Sequence, residues 1–128
     1  MTGGGLRLRS RDLAKLAWTL VNDGIWDVHI IVPSSWVTAA MTAHRRANPE
    51  QDYGYLFWQR SYATKCRAIS GWCMSGNGGN AIVAVKDLDA AIVVTRINYN
   101  KHNMHQQTVD LLEHYVLPAI PCATAVAH

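Results

Sequence analysis

The 128-residue sequence has few charged residues, no long apolar run and no C-x-x-C pair of cysteines. Charged residues make up 16% of the chain and hydrophobic residues 49%, a balance that favours a packed globular core over disorder. No apolar run approaches the roughly 18 residues that a membrane-spanning helix needs. The first five residues lack the apolar stretch of a signal peptide. We therefore expect a single domain that, as it stands, is cytoplasmic and has no membrane partner.

The cysteines are too few and too irregularly spaced to form a disulfide framework or a zinc site. There are three, Cys66, Cys73 and Cys122, so their number is odd. Cys66 and Cys73 fall near or within a strand-like segment, where we expect buried thiols. This use of cysteine favours a reducing compartment.

Large aromatic and basic residues are present in small groups. Five tryptophans in a short chain are predicted to be core anchors, with the lining of a cleft as the alternative. The basic residues are scattered, apart from the pair Arg45-Arg46 and the group Arg7, Arg9 and Arg11. At the entrance of a helix this group indicates a solvated face rather than a patch for nucleic acid. No nucleic-acid partner is expected.

Helical periodicity marks the beginning and the end of the chain. An amphipathic helix is predicted over residues 11–22, with Ser10 as its N-cap and Gly24 at its end. A second short helix is predicted from Ser34 or Ser35 to about residue 43. The last predicted helix covers about residues 102–116 and ends at Pro118. Its apolar face is expected to carry Met104, Thr108, Leu111, Leu112 and Tyr115.

Strand-like segments lie between the helices. Residues 45–52 are polar and contain Pro49, so they are predicted to form a loop. Four strands are predicted at residues 53–59, 67–74, 81–85 and 90–97. Three glycines within residues 75–80 allow positive φ angles and indicate a tight turn. The last two strands are nearly continuous apolar runs, which predicts a sheet that is covered on both faces.

These elements predict an α+β fold with an antiparallel sheet of three to four strands, N-terminal helices and a C-terminal helix. Residues 1–128 are expected to form one domain. Within it, residues 1–45 are predicted to be helical, residues 53–98 to form the sheet and residues 102–117 to form the last helix.

The sequence contains no complete motif for a catalytic serine. A G-x-S-x-G elbow and a Walker loop are both absent. The residues three positions before the four lysines are Asp12, Tyr62, Val83 and Asn98, so no S-x-x-K occurs. Because a nucleophilic serine needs a base within hydrogen-bond reach, the sequence offers no local site for one.

Two other groups of residues are candidates for a site. His102, His105 and His114 lie on the last predicted helix, but their spacing favours exposed helix residues over a metal site. We therefore predict no metal and no cofactor. A new active site around Trp72, Trp58 and His29 is the weakest enzyme hypothesis.

Five segments of the chain, taken together, carry a family resemblance: Gly3-Gly4-Gly5-Leu6 followed by Ser10-Arg11-Asp12-Leu13; Val32-Pro33-Ser34-Ser35-Trp36; Tyr53-Gly54-Tyr55-Leu56-Phe57-Trp58; Ser75-Gly76-Asn77-Gly78-Gly79-Asn80 with Leu88-Asp89; and Tyr99 with His105-Gln106-Gln107-Thr108. In this order, from Gly3 to about Ile120, they resemble the C-terminal part of serine hydrolases of the β-lactamase and penicillin-binding-protein-like superfamily, in particular its esterase and amidase branches. The resemblance implies a partial β-lactamase-like fold.

The resemblance also implies a substrate-binding segment. Family members use S-x-x-K, then Y-x-N or S-x-N, then K-T-G or a variant. Only the third element has a counterpart here, at Asn77, Gly78, Gly79 and Asn80, with the Asn80 amide as the implied oxyanion donor. Asn77 brings no positive charge and Gly78 no hydroxyl, which departs from the pattern of β-lactamases. The first two elements lie upstream of such a glycine-rich entry, so we expect this chain to lack the nucleophile.

Missing upstream strands would leave the strand from Ala90 to Ile97 as an apolar sheet edge. An unpaired edge of this kind favours self-association, so we expect a homo-oligomer. The first functional hypothesis is a C-terminal hydrolase segment that is inactive alone and has a missing N-terminal half, with a periplasmic location open for a longer parent. The second is a non-catalytic binding or assembly module that retains the fold.

Overall fold

The computed structural model describes residues 5–121, so Gly3, Gly4 and Cys122 lie outside the described residues. The helices are α1 (Ser10–Val21), α2 (Ser34–Ala40) and α3 (Met104–Leu111). A π-helical turn, Leu112–Val116, and a short helical turn, Leu117–Ala119, continue α3. The strands are β1 (Ile25–Trp26), β2 (His29–Ile30), β3 (Arg45–Asn48), β4 (Gln51–Tyr53), β5 (Trp58–Tyr62), β6 (Ile69–Gly76), β7 (Asn80–Val85) and β8 (Ala90–Val94).

The fold is α+β, with a six-stranded antiparallel sheet and a separate two-stranded hairpin. Strands β3 to β8 are neighbours in chain order, which makes the large sheet a simple meander. Strands β1 and β2 form the hairpin. The large sheet has two more strands than the upper limit of the predicted three to four.

Helical segments cover both faces of the central strands, as the apolar runs predicted. Because successive side chains of a strand point to opposite faces, Val83 and Ala84 of β7 enter different cores. Val83 packs with Leu112 and Leu117 from the helical turns that continue α3. Ala84 belongs to the core that contains α1 and α2, together with Leu20, Val21, Val37, Ala40 and Phe57. The sheet therefore separates two apolar layers.

Residues 45–52, predicted to be a loop, instead form the hairpin β3–β4. Pro49 and Glu50 make its turn, and the Arg46 guanidinium contacts the Asp52 carboxylate at 3.0 Å. All four residues of β3 are exposed. A strand that is exposed on both faces carries no apolar alternation, so its sequence resembles a loop.

The predicted strand over residues 53–59 is also wrong in its bounds. The chain leaves β4 after Tyr53 and turns, with the Gly54 amide donating to the Phe57 carbonyl at 2.9 Å. Leu56 has a positive φ of 65° within this turn. A Cβ atom on Gly54 would lie 2.1 Å from the Ala40 carbonyl oxygen, so the glycine allows α2 to approach. The aromatic segment is therefore a turn followed by β5.

The helices start and stop close to the predicted positions, with three differences. Ser10 is the first residue of α1 and not its N-cap, and α2 ends at Ala40, three residues early. The predicted last helix begins at Met104, and its π-helical turn changes the direction of the residues after Leu111. Tyr115 is consequently 72% exposed and does not share the buried face.

Two predictions about burial are corrected. Trp18, Trp26 and Trp36 are exposed, while Trp58 and Trp72 are partly buried, so no tryptophan is a fully buried core anchor. Cys73 is a buried free thiol, as expected. Cys66 is disulfide-bonded and lies in the exposed loop before β6, so the prediction of a buried thiol there is wrong.

No helix among residues 5–121 is long and apolar enough to cross a membrane.

Candidate functional site

The segment with the implied substrate-binding role forms the turn between β6 and β7. Gly76 and Asn80 pair across the two strands, so Asn77, Gly78 and Gly79 make a three-residue connection. Both glycines of the connection have positive φ angles, 90° and 84°. The four predicted site residues are therefore contiguous in space, but three of them stand in a turn rather than on a strand.

The polar groups of this turn are bonded to other parts of the fold. The Asn77 side chain donates to the Asn100 side chain and accepts the Asn100 backbone amide, each at 3.0 Å. The Asn80 side chain donates to the Asn77 carbonyl at 2.6 Å and accepts the Arg96 amide at 2.9 Å. These bonds tie the turn to the segment that follows β8.

The start of α3 closes over the two glycines of the turn. Thr108 Oγ1 donates to the Gly79 carbonyl at 2.6 Å, and the Gly78 amide points to Met104 Sδ at 3.2 Å. A Cβ atom on Gly78 would lie 3.0 Å from the Tyr99 ring. Both glycines are buried. Their conformation serves close packing between the turn and α3.

The direction of the Asn80 amide bears on the oxyanion role. Because N–H groups alternate sides along a strand, the pairing of Asn80 with Gly76 directs its amide across the hairpin toward β6. An oxyanion donor has to point at the position where negative charge develops. The role of Asn80 as a donor stays a prediction that requires this amide to turn toward a substrate.

A separate concave site lies between the sheet and α3. Its volume is about 280 Å³, and Trp58, Arg60, Ser75 and His105 are among the residues that line it. Arg60 is engaged with the Glu50 carboxylate at 2.8 Å. Sequence reasoning did not bring Ser75 and His105 together, because they meet only through the packing of α3 on β6.

The cavity does not contain an assembled nucleophile and base. No hydrogen bond joins Ser75 to His105, and none joins any serine hydroxyl to a lysine or histidine nitrogen among residues 5–121. An activated serine requires such a contact. The described part of the chain therefore holds a serine and a histidine in one cavity without forming a catalytic pair.

Burial suppresses the ionisation of two side chains next to this cavity. Burial raises the pKa of the Cys73 thiol to about 11, which works against its use as a thiolate nucleophile. Burial also raises the pKa of the Tyr62 hydroxyl well above its usual value, with a smaller contribution from Cys73. Both groups are neutral near pH 7 and behave as core residues.

The hypothesis of a site at Trp72, Trp58 and His29 is wrong. Trp58 pairs with Cys73 across the strands and shares its face, whereas Trp72 packs in the core on the opposite face. His29 lies in the exposed β1–β2 hairpin.

Within residues 5–121 no group of three or more histidine, cysteine, aspartate or glutamate side chains is placed to hold a metal ion. No protein-family model and no curated protein matches the chain.

Proposed function

We propose that this chain is the C-terminal segment of a β-lactamase-like serine hydrolase, which performs acyl transfer from an ester, an amide or a β-lactam. The observation that carries the proposal is the order of five family-like segments between Gly3 and about Ile120. An antiparallel meander with helices on both faces, followed by a closing helix, is compatible with it. In this proposal the chain supplies part of the sheet and does not supply the nucleophile.

The chemistry is divided between this chain and a second polypeptide segment. A serine and a lysine in S-x-x-K provide the nucleophile and its base in such hydrolases, and this sequence contains no such pair. The turn at Asn77 to Asn80 lies beside α3 and is the part of this chain assigned to the substrate. Since Asn77 is uncharged, the proposal favours neutral esters or amides over substrates that need a cationic partner for a carboxylate.

Ester turnover after complementation tests this function. The chain is mixed with a polypeptide that carries S-x-x-K and Y-x-N, and hydrolysis of a p-nitrophenyl ester is measured. We expect no turnover from either polypeptide alone and turnover from the mixture. The matched control is the same polypeptide with its S-x-x-K serine replaced by alanine. Turnover by this chain alone, at the rate of the mixture, would contradict the proposal.

A non-catalytic assembly module is the second candidate function. The observation that favours it is the edge of the sheet at β8, which pairs with β7 alone among the described residues. An apolar edge of this kind recruits another strand whether or not a hydrolase is completed. If the complementation above fails while the edge binds a strand, this second function is favoured.

A further inference from the structure

The two edges of the large sheet differ in how they are protected against further pairing. Strand β3 carries Arg45 and Arg46, has a register irregularity between Arg46 and Asn48, and is followed by Pro49. Charge, bulges and proline are the usual features that keep an edge from pairing. Strand β8 reads Ala-Ala-Ile-Val-Val, and its register with β7 is continuous. Of the two edges that the large sheet has among residues 5–121, the β8 edge is therefore the one suited to accept another strand.

The outward-facing backbone groups of this edge can be assigned. The amides of Arg96 and Asn98 donate toward the β7 side, to Asn80 Oδ1 at 2.9 Å and to the Gly78 carbonyl at 3.2 Å. Because backbone groups alternate sides along an extended strand, the amides and carbonyls of Ala91, Val93 and Thr95 point away from β7. Among residues 5–121 these outward amides have no backbone partner.

We infer that β8 pairs with β8 of a second copy of this chain, antiparallel and in one register, with the two-fold axis at Val93. This register pairs Val93 with its own copy and Ala91 with Thr95 of the second copy. It is the one in which all three outward residues of the edge form hydrogen-bonded pairs. The inference stands independently of the proposed hydrolase function.

The side chains that this register brings together are compatible on both faces. Ile92 of one copy lies opposite Val94 of the other, and within residues 89–97 no charged residue is paired with a like charge. Arg96 of the second copy lies opposite Ala90, so no like charge is placed against it. Apolar and β-branched pairs of this kind stabilise antiparallel strands. The edge is therefore complementary to itself.

A groove beside the edge offers room for the flank of the second copy. It has a volume of about 460 Å³ and is lined by Trp18, Trp26, Ala91 and Ile92, among others. In the proposed register Ile97 of the second copy falls beside Asp89, at the end of the edge where this groove lies. Ile97 is 81% exposed in one copy. The same two-fold axis thus brings an exposed apolar side chain to an open groove that contains two tryptophans.

Sedimentation equilibrium of the 128-residue chain tests the association. We expect a reversible dimer and a dissociation constant that rises about tenfold or more for Val93→Lys, since two lysines then face each other across the axis. Val93→Thr is the matched control, because it keeps the shape and adds no charge. Its dissociation constant is expected to stay within about threefold of the original. A chain that stays monomeric at every concentration would overturn the inference.

Cysteine cross-linking tests the register and does not depend on Val93→Lys folding correctly. Val93→Cys places two thiols on the axis, within the roughly 7 Å between Cα atoms that a disulfide allows. Ile97→Cys places them roughly 27 Å apart, given about 3.4 Å per residue along each strand. We expect a cross-linked dimer for Val93→Cys alone, with the unsubstituted chain as the blank. Equal cross-linking of Ile97→Cys would refute this register.

Discussion

Gly79 is the residue at which the turn between β6 and β7 is least tolerant of change. Its φ is 84°, and an added Cβ atom would lie 2.6 Å from the Met104 carbonyl oxygen and 3.0 Å from Thr108 Oγ1. Backbone oxygen at the start of a helix cannot move away as a flexible side chain can. The close approach of α3 to the turn therefore depends on the absence of a side chain at this position.

Substitution of Gly79 by alanine is predicted to lower the free energy of unfolding by about 3 kcal/mol, because positive-φ strain and overpacking act together. Chemical denaturation measures the change. Gly76→Ala is the matched control at the end of β6, directly before the turn, since its Cβ would meet nothing closer than the Asn80 Cβ at 3.7 Å. Equal destabilisation by the two substitutions would show that the packing of α3 on Gly79 is not the cause.

The buried Cys73 thiol is expected to make the free energy of unfolding depend on pH in the alkaline range. Burial raises its pKa from 9.0 to about 11, so the folded state holds the thiol proton more tightly than the unfolded state. The thiol therefore contributes up to about 3 kcal/mol to the free energy of unfolding. This contribution is complete below pH 9 and is lost as the pH rises toward 11. Tyr62 acts in the same direction at still higher pH, because its pKa is also raised by burial.

Denaturation at a series of pH values measures this effect. We expect the free energy of unfolding to fall between pH 9 and pH 11. The variant Cys73→Ala removes the titrating thiol and is expected to show a smaller fall over the same range. An identical pH dependence in the two proteins would exclude Cys73 as its source.

At the level of elements, a buried hydroxyl of α3 is hydrogen-bonded to the β6–β7 turn. Thr108 is only 4% exposed, and its Oγ1 donates to the Gly79 carbonyl. Thr108→Val keeps the shape but leaves that buried carbonyl without its donor, which costs about 1–3 kcal/mol. Thr108→Ser retains the hydroxyl and is expected to lose less. Thermal unfolding of both variants checks the order, and a more stable valine variant would contradict it.

The sequence predicts those helices and strands in which apolar residues repeat at regular spacing or form a continuous run. The bounds of α1, β7 and β8 agree with the predictions to within a few residues because one face, or both faces, of each is apolar. The hairpin β1–β2 was not predicted, since its turn places Asp27 and Val28 at φ angles of 44° and 63°. A β-branched residue rarely adopts this conformation, so the sequence carries no turn signal there.

At the candidate site, too, the sequence predicted the local turn but not the contacts between distant residues. Sequence reasoning located a glycine-rich turn at residues 75–80, and the structure has its turn at Asn77 to Gly79. It did not find the two hydrogen bonds between Asn77 and Asn100, because these residues are far apart in the chain and meet only when β8 pairs with β7. The cavity that Ser75 and His105 share has the same origin. Such contacts between distant residues arise from packing and leave no local pattern.

At the scale of the whole molecule, residues 5–121 combine a closed interior with an open edge of the large sheet at β8. The sheet is covered on both faces near its centre, and its β3 edge is protected by charge and a bulge. The β8 edge and the neighbouring groove remain accessible. Both proposals use this accessible β8 edge, so a second copy and a nucleophile-bearing segment would compete for it.

An excess of the complementing polypeptide is therefore expected to dissociate the dimer, and sedimentation velocity would detect the change. An unchanged dimer would show that the two partners bind at separate sites.

Intact-mass analysis after treatment with a serine-reactive fluorophosphonate tests whether this chain supplies a scaffold and no nucleophile. The chain is treated alone and together with a polypeptide that carries S-x-x-K and Y-x-N. We predict no adduct on this chain in either sample, and an adduct on the S-x-x-K serine that forms faster in the mixture. A stoichiometric adduct on one serine of this chain, in the absence of the second polypeptide, would show that the chain carries its own nucleophile and would contradict the proposed function.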